Sequence, residues 1–587
     1  MKEFVKYTLA TLTGLVLAGV LFFIVSILAL VGLMSYDTAA PVVRPQSVLH
    51  IALDGALKED VTENPLGELL GEDYQELSLK SLLAAIRTAK SDDRIVGIYL
   101  EAGTLQEASP AMMEELRLAL KDFKKSGKFI VAYGHSYSQS CYYLASVSDS
   151  ILLNPEGSVM WSGMAAQPVF YKNLLEKLGV KMQVFRVGTY KSAVEPFIAD
   201  KMSEANRLQV SSYLNDIWDR ILADVSDSRG ITKDKLNAYA DSLLYFSPAE
   251  TLVKMKVVDA LCYMDGVEKC LKQMSGGELN MVDAKDWMAV QMPLVDKKSD
   301  EIAVYYAYGD IVDRSDEWAE DVIDASVVCR DLKKLREDKN VKAVVVRINS
   351  GGGSAFASEQ IWHELMLMKK EKPVVVSMGG MAASGAYYLS SAASYIYANP
   401  TTLTGSIGIF GLIPDGSGLL NDKLGLDFDV VKTNRHSDFG TVARPFNSEE
   451  AAMMQRHVEE GYGLFLKRVA EGRRMSRVRV DSLAQGRVWT GQQALALKLV
   501  DANGTLDDAV EKAAQLAGTS NYCTVAYPEP QQWYQILLKD TKSNYLDSRL
   551  RSALGDQYEM YAHFSRMMRM EGVQARMPYV LNLINWN

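Results

Sequence analysis

An internal duplication constrains the fold of this chain more than any other feature of its 587 residues. The segment CYYLASVSDSILLNP at 141–155 aligns without gaps with AYYLSSAASYIYANP at 386–400. Two further pairs of similar segments keep the same order: 94–98 with 340–344, and 256–260 with 498–502. A repeat of this kind, displaced by about 245 residues, predicts two homologous domains in tandem.

Each predicted domain alternates helical patterns with short apolar runs that are rich in β-branched and aromatic residues. In the first half the predicted order is a strand at 47–53, a helix at 79–90, a strand at 95–100, a helix at 111–125, and strands at 128–133 and 151–153. Such alternation is typical of βαβ units and a mostly parallel sheet. The sequence therefore predicts two α/β domains, at 47–295 and 300–525, joined near 291–300.

The N-terminus contains an uncharged, strongly apolar run from 7 to 36. This run exceeds the ~20 residues that a helix needs to cross the hydrocarbon core, and a cleaved signal peptide has a shorter apolar region. Lys2 and Lys6 precede the run and Asp37 follows it, which favours a cytoplasmic N-terminus at 1–6. We therefore expect a single-pass transmembrane signal anchor that, in a bacterium, places the folded domains on the periplasmic side of the inner membrane.

The C-terminal tail, at 526–587, carries two helical patterns after a Pro-Glu-Pro segment. Methionines alternate with arginines near 567–570, and an apolar stretch follows, which gives the tail an amphipathic character. The interpretation is a helical tail that docks on the folded domains and completes a subunit interface. A second contact with the membrane is the alternative.

Charge and composition exclude several classes of function. The net charge is −10, and lysines and arginines are scattered rather than gathered into a stripe, which argues against nucleic-acid binding. The five cysteines form no C-x-x-C pair, and the six histidines never occur at H-x-x-x-H spacing. Neither a metal site nor any other cofactor is predicted.

Ser384 is the candidate nucleophile. It lies in GGMAASGAYY, among very small residues, shortly after the apolar strand predicted at 373–376. Small neighbours let a substrate carbonyl approach Oγ, and the backbone N–H of Gly385 can turn toward an oxyanion. On this stretch alone, a serine in a packing seam between a helix and a strand explains the pattern equally well.

The two copies serve as controls for each other. Ser384 corresponds to Gln139 in the first copy, and the glycine loop at 350–354 corresponds to residues near 105–107, which contain no glycine. Conversely, Lys191 in GTYKSAVEPF has no clear counterpart in the second copy. These complementary losses predict a composite site, in which a lysine from one domain meets a serine from the other.

A lysine acts as a general base only when it is neutral, so Lys191 must be desolvated by apolar surroundings. Tyr190, Val194 and Phe197 are candidates for supplying them. An ordinary surface lysine is the alternative. A Ser–His pair is a further alternative, because His436 lies where the lost lysine of the second copy is expected and Asp438 follows it; we rank it below Lys191.

With these residues the chain resembles the long, duplicated form of the SppA-type signal peptide peptidase family, also called protease IV, from the anchor to the tail. The resemblance implies two tandem domains of the fold shared with Clp protease and crotonase. It further implies that Lys191 is the base and Ser384 the nucleophile.

The resemblance extends to the residues around that pair. The motif TGSIGIFG assigns Ser406, which is replaced by Trp161 in the first copy, to holding the lysine amine. The oxyanion donors implied are Gly352, Gly353 and Gly385. The family loop usually reads Ser-Pro-Gly-Gly, so Gly351 departs from it.

The implied function is peptide hydrolysis through an acyl-enzyme, without a cofactor. The implied substrates are signal-peptide remnants and other unfolded or membrane-derived peptides, and the implied assembly is a homo-oligomer, a tetramer in that family. Two other functions stay open: a catalytically idle, membrane-bound scaffold that binds peptides, and a crotonase-type acyl-CoA enzyme, which the N-terminal anchor disfavours.

Overall fold

A computed structural model describes most of the two predicted domains. The described residues are 43–61, 76–290, 299–315, 322–528 and 573–577, with some positions between 4 and 25 and residues 583, 584 and 586. The anchor predicted at 7–36 therefore lies largely outside the described residues. Within the described part of the chain, no helix has both the length and the apolar composition that crossing a membrane requires.

The first half is built on a seven-stranded sheet with the order β2-β1-β3-β4-β5-β8, in which β9 also pairs with β1 and every pairing is parallel. The first half contains nine strands in its described residues, of which β6 and β7 lie outside this sheet. They are β1 (Ser47–Lys58), β2 (Glu76–Ser78), β3 (Ile95–Gln106), β4 (Phe129–Gly134), β5 (Ser150–Leu153), β6 (Ala165–Ala166), β7 (Lys181–Arg186), β8 (Ala260–Leu261) and β9 (Asn280–Asp283). Its helices are α1 (Leu79–Ser91), α2 (Pro110–Lys124), α3 (Gln139–Ala145), α4 (Lys172–Leu178), α5 (Glu195–Ile198), α6 (Glu204–Arg229), α7 (Lys233–Asp241), α8 (Ala249–Lys254), α9 (Met264–Ser275) and α10 (Ala284–Val290).

The second half repeats this plan around an eight-stranded sheet with the order β19-β17-β15-β13-β10-β21, in which β16 pairs with β15 and β20. Its strands are β10 (Asp300–Tyr308), β11 (Asp310–Val312), β12 (Val322–Asp324), β13 (Val341–Ser350), β14 (Gly352–Ser354), β15 (Val374–Ala383), β16 (Tyr395–Ala398), β17 (Leu403–Gly405), β18 (Phe410–Asp415), β19 (Val488–Thr490), β20 (Ala502–Asn503) and β21 (Tyr522–Tyr527). Its helices are α11 (Ala325–Glu337), α12 (Ala355–Lys369), α13 (Gly385–Ser390), α14 (Ser448–Arg473), α15 (Arg477–Leu483), α16 (Gly491–Ala496) and α17 (Leu506–Ala517).

Local sequence determines where several of these helices begin. The side chain of Ser78 accepts the amide hydrogen of Ser81, which starts α1 at Leu79. Asn447 and Glu450 form a reciprocal capping box at the start of α14. Such caps satisfy amide groups that have no partner inside the helix, so they fix the helix start.

Equivalent hydrogen bonds in the two halves confirm the duplication. The Tyr142 hydroxyl donates to the Val257 carbonyl at 2.9 Å, and the Tyr387 hydroxyl donates to the Leu499 carbonyl at 2.8 Å. Each tyrosine lies in the repeated Tyr-Tyr-Leu segment, and each acceptor lies in the second repeated segment. The same side chain therefore joins the same two elements in each copy.

A third sheet joins the halves, with the order β12-β11-β14-β22-β18-β7, in which β22 (Val573–Arg576) comes from the C-terminal tail. Strand β7 belongs to the first half and pairs antiparallel with β18 of the second half over six residues on each side. Residues 187–194, here called the lysine loop, follow β7 directly and contain Lys191. The pairing of β7 with β18 therefore places Lys191 beside the second half.

Buried charges also connect the halves. Arg347, on β13, donates to Glu59 at 2.9 Å and to Glu115 at 2.6 Å, and all three side chains are buried. Both carboxylates belong to the first half. Burial raises the pKa of the Glu59 carboxyl, and the positive charge of Arg347 opposes this effect.

Two described segments near the end of the tail form strands, where the sequence analysis predicted a helical tail. Strand β22 (Val573–Arg576) lies in the third sheet, and β23 (Leu583–Ile584) pairs antiparallel with β6. The sequence pattern failed here because strand pairing with distant residues overrides local amphipathicity. Residues 529–572 lie outside the described part of the chain, so the helical assignment stays a prediction there.

Candidate active site

Ser384 lies at the sharp turn between β15 and α13. Its φ of 56° and ψ of −112° are unusual for a residue with a side chain, and the side chain is fully buried. The turn is held because the Ser384 amide donates to the Gly405 carbonyl and the Ser384 carbonyl accepts from the Tyr388 amide, both at 2.8 Å. Strained backbone of this kind persists where the surrounding structure fixes it, often at functional sites.

Lys191 lies between β7 and α5, and its Nζ is 2.7 Å from Oγ of Ser384. The lysine is completely buried, and this burial lowers the pKa of its amine well below the ordinary value. Desolvation has this effect because it disfavours the charged form. The structure therefore brings the two predicted residues together and surrounds the lysine with conditions that favour the neutral amine.

Ser406 completes the surroundings of the amine. The Lys191 Nζ donates to both the carbonyl oxygen and Oγ of Ser406, each at 3.1 Å. A neutral primary amine carries two hydrogens and one lone pair. Since the two oxygens of Ser406 accept the two hydrogens, the lone pair remains available for the Ser384 hydroxyl. This arrangement can move the hydroxyl proton to the lysine.

The predicted apolar neighbours of Lys191 are only partly as expected. Val194 and Phe197 are buried, in a small core with Tyr171 and Phe410. Tyr190 is half-buried, and the guanidinium of Arg487 lies over its ring at 5.2 Å from the ring centre.

The predicted oxyanion donors lie around the same turn. Gly352 has a φ of 100°, and its amide donates to Ser350 Oγ at 3.1 Å, so this donor is engaged within its own loop. Gly353 lies in β14, and a Cβ on Gly385 would be 3.2 Å from the Gly353 nitrogen. The backbones of Gly353 and Gly385 are therefore close enough to act on one oxygen atom. The carbonyl of Gly351, the residue that departs from the family loop, accepts from the Met577 amide at 2.7 Å.

His436 and Asp438 interact with other residues. His436 Nδ1 lies 3.1 Å from a carboxylate oxygen of Glu450, and Asp438 accepts two hydrogen bonds from Arg444. The guanidinium of Arg444 lowers the pKa of the Glu450 carboxyl to about 2. These residues form a charged cluster at the start of α14, and the structure gives no contact between them and Ser384.

Gly486 and Gly408 lie in close contact with Lys191, and neither was predicted as a site residue. A Cβ on Gly486, whose φ is 78°, would lie 2.5 Å from the Lys191 nitrogen, and a Cβ on Gly408 would lie 3.2 Å from the Lys191 Cδ. Gly408 belongs to the TGSIGIFG motif, so the motif contained a signal for it. Gly486 lies in no motif that we identified.

Gln209 donates hydrogen bonds to the lysine loop, and the sequence did not predict this role. Its amide nitrogen donates to the Tyr190 carbonyl at 3.1 Å and to Ser192 Oγ at 2.9 Å, on either side of Lys191. Its amide oxygen accepts from the Val488 nitrogen in the second half at 3.2 Å. A polar residue in the middle of a helix gives no sequence signal for such a role.

The equivalent position in the first half has different chemistry. Gln139 replaces the serine, and its side-chain oxygen accepts the amides of Ser162 and Gly163 at 3.0 and 3.1 Å. Trp161 replaces Ser406, and its indole donates to the Leu236 carbonyl at 2.9 Å. These groups are bound to their own domain, so the first half has neither a nucleophile nor a partner for a lysine at this position.

Among the described residues, no group of three or more His, Cys, Asp or Glu side chains is arranged to hold a metal ion. The five cysteines are free thiols.

Comparison with known families and proteins gives consistent matches. A family model described as Peptidase family S49 matches residues 122–277 and again 366–520, and one described as Clp protease matches 311–402. Each half thus contains one match to the first model, as the duplication requires.

Similar proteins match over most of their length. Protease 4 of Salmonella typhi is 39% identical over 513 residues, which cover 86% of this chain and 79% of that protein. Protease 4 of Haemophilus influenzae is 35% identical over 551 residues, or 89% and 88%. The protein named Serine protease SPPA, chloroplastic, of Arabidopsis thaliana is 31% identical over 555 residues, or 92% and 78%.

Proposed function

Because this chain belongs to peptidase family S49 and is a serine protease, we propose that it cleaves peptide bonds with Ser384 as nucleophile and Lys191 as general base. The observation that carries the proposal is the 2.7 Å separation between Lys191 Nζ and Ser384 Oγ, made by a fully buried lysine. Family membership favours a peptidase over an acyl-CoA enzyme and over an idle scaffold.

The reaction begins when Oγ of Ser384 attacks the carbonyl carbon of the scissile peptide while Lys191 accepts the hydroxyl proton. A tetrahedral intermediate forms, and its negative oxygen is stabilised by the amides of Gly353 and Gly385. Such a donor is typically worth about 3 to 4 kcal/mol. The Gly352 amide can join them only after it leaves Ser350.

The protonated lysine then gives its proton to the leaving amine, and an acyl-enzyme remains on Ser384. Water attacks the ester carbonyl while Lys191 accepts a water proton, and the bond between the acyl carbon and Oγ then breaks. Lys191 returns the proton to Oγ, which restores the Ser384 hydroxyl as the acid leaves. Ser406 keeps the amine in place through both steps, because its two oxygens accept the amine hydrogens. Every proton that the reaction moves is held by Lys191, so no cofactor is required.

The substrates, location and assembly follow from the family resemblance and the apolar N-terminal run. The protease is anchored in the inner membrane by residues 7–36, with its domains on the periplasmic side. Its substrates are signal-peptide remnants and other unfolded or membrane-derived peptides, and it acts as a homo-oligomer, a tetramer as in that family.

The proposal is tested with a fluorophosphonate probe, which attaches to an activated serine. The full chain in detergent is expected to be labelled at one serine, identified as Ser384 by peptide mass spectrometry, and to cleave an unstructured fluorogenic peptide. Ser384→Ala should abolish both signals, whereas Ser390→Ala, which changes another buried serine of the same segment, should retain both. Labelling at a different serine, or full hydrolysis by Ser384→Ala, would refute the proposal.

A further inference from the structure

Residues 573–577 of the C-terminal tail lie in the cleft beside Ser384. Strand β22 lies between β14 and β18 and runs antiparallel to both. The Met577 amide donates to the Gly351 carbonyl. Two residues further along each strand, the pairing of β14 with β22 places Gly353 opposite Ala575. Hydrogen-bonded pairs alternate along an antiparallel ladder, so Gly353 and Ala575 form the next such pair.

The Ala575 carbonyl oxygen therefore faces the Gly353 amide. The same oxygen lies 3.0 Å from where a Cβ on Gly385 would be, and a Cβ on Gly352 would clash with it. A carbonyl group of the chain itself thus lies among the three glycines predicted to bind the oxyanion. A peptide held in this way is an extended strand, which is a common mode of peptide binding at a sheet edge.

Residues 583, 584 and 586 of the tail lie in the equivalent cleft of the first half. Strand β23 pairs antiparallel with β6 at Ala165, just as β22 pairs antiparallel with β18 at Phe410. Ala165 and Phe410 are equivalent residues of the duplication, as follows from the alignment of Gln139 with Ser384. The chain thus adds an antiparallel strand at the same position in both copies.

Trp586 makes the contacts that define this second position. Its carbonyl oxygen accepts from the Ser140 amide at 3.0 Å, and its indole Nε1 donates to the Ala108 carbonyl at 2.7 Å. In the duplication Ser140 is equivalent to Gly385, and Ala108 is equivalent to Gly353. The first half therefore uses the counterparts of the oxyanion loop to hold a tryptophan.

Trp586 is almost completely buried, with 1% of the residue exposed, and the centre of its ring lies 6.1 Å from the centre of the Tyr143 ring. Tyr143 is equivalent to Tyr388, which follows Ser384 by one turn of helix. Burial of a whole indole with its N–H bonded is characteristic of a strong anchor.

We propose that the cleft of the first half is a docking site for the chain's own C-terminal residues, and that Trp586 bound there keeps residues 573–577 across the catalytic cleft. The inactive copy of the domain thereby restrains the active one. A peptide substrate must enter as an extended strand and displace β22. The effect on hydrolysis rests on the proposed function, but the docking itself does not.

Docking is tested by hydrogen–deuterium exchange in the full chain carrying Ser384→Ala, so that no hydrolysis is needed. Adding Trp586→Ala should speed exchange of the 573–576 amides by about tenfold or more, because their opening no longer requires release of the indole. Exchange of β4 should stay unchanged, which shows that the first half remains folded. Phe246→Ala, which removes an aromatic ring that is 78% exposed, is the control. Unchanged protection at 573–576 in the Trp586→Ala variant would overturn the proposal.

Restraint is tested with Ser384 intact. Trp586→Ala should raise kcat/KM for an unstructured fluorogenic peptide several-fold, mainly through a lower KM, and Trp586→Phe should lie between it and the unaltered chain. A synthetic peptide of residues 573–587 should inhibit the Trp586→Ala variant competitively, and the same peptide with alanine for tryptophan should inhibit it less.

If hydrolysis and fluorophosphonate labelling of Ser384 are absent from every variant, the proposed function fails, while the exchange experiment still decides docking. Equal kcat/KM in all variants, with active protein, would overturn the restraint.

Discussion

The amine of Lys191 lies 2.7 Å from the hydroxyl oxygen of Ser384, although 193 residues separate them in the chain. The contact is made across the two halves of a duplicated fold, because β7 pairs with β18 and leads the lysine loop into the second half. The site therefore depends on how the halves are held together as much as on the residues at its centre.

Replacing Lys191 by methionine tests the base directly. Lys191→Met keeps the length of the side chain and removes the lone pair, so kcat for an unstructured peptide should fall by about 10²- to 10⁴-fold. Folding should be retained, because a buried apolar side chain needs no desolvation of an amine. Peptide hydrolysis and urea-induced unfolding are the measurements.

His436→Ala is the matched comparison, because this histidine occupies the segment where the alternative base was predicted. It pairs with Glu450 near the surface, so the variant should keep most of its activity. Near-normal hydrolysis by Lys191→Met, together with a large loss in His436→Ala, would favour the Ser–His alternative.

The pH dependence of kcat/KM should report the titration of Lys191. Burial lowers the pKa of this amine, and the charged form cannot accept the serine proton. Activity is therefore lost as pH falls through this pKa and reaches a plateau above it, at a pH below the ordinary lysine value. A single rising limb measured with a peptide lacking ionisable groups is expected. A rising limb at or above the ordinary lysine pKa would contradict desolvation of the base.

Ser406→Ala should alter both the plateau and the limb. The Ser406 hydroxyl accepts a hydrogen from the amine, and an acceptor stabilises the charged amine more than the neutral one. Its removal should lower the pKa of Lys191 further, so the rising limb moves to lower pH. The plateau value of kcat should also fall, by about 10-fold or more, because the amine is less well oriented. Ser406→Thr, which keeps the hydroxyl, should restore the position of the limb.

Much of the fold was predictable because its signals are local or repeated. The helix predicted at 79–90 and the strands predicted at 128–133 and 151–153 are observed within one residue of those positions, whereas the strand predicted at 95–100 extends to Gln106. The duplication predicted the same order of elements in the second half. The predicted meeting of Lys191 and Ser384 came from comparing the copies, since each copy lacks what the other has.

The remaining features depend on contacts between residues far apart in the chain. Gln209 is one polar residue of a long helix, and its two roles appear only when the lysine loop and β19 lie on either side of it. The amphipathic tail pattern predicted helices, whereas its described residues pair with β14, β18 and β6. Pairing partners of this kind leave no periodic trace in the sequence.

Gly486→Ala tests whether the backbone next to Lys191 must lack a side chain. Its φ is 78°, and a Cβ would lie 2.5 Å from the Lys191 nitrogen, so the lysine loop must move. Activity should fall by about 10²-fold, the loss that a displacement of ~1 Å can cause. Gly440→Ala is matched in backbone conformation, with a φ of 84°, but its Cβ would meet nothing within 4 Å. This control should keep its activity, and equal losses in both variants would show that backbone strain alone is responsible.

Arg347→Met tests the buried charges that join the halves. The guanidinium of Arg347 lies between Glu59 and Glu115, and its own side chain is 1% exposed. Its removal leaves two buried carboxylates without their cation, which typically costs about 3 to 5 kcal/mol. Arg330→Met, which changes an arginine whose side chain is 60% exposed beside Asp331, should cost no more than about 1 kcal/mol.

The loss should appear first where the halves meet. In a urea titration, fluorophosphonate labelling of Ser384 should be lost at a lower urea concentration in Arg347→Met than in Arg330→Met, because the lysine is supplied by the other half. Glu59→Gln combined with Glu115→Gln should recover part of the lost stability of Arg347→Met, since neither side chain then carries a buried negative charge. If labelling of Arg347→Met follows that of the unaltered chain at every urea concentration, this cluster does not hold the two halves in register.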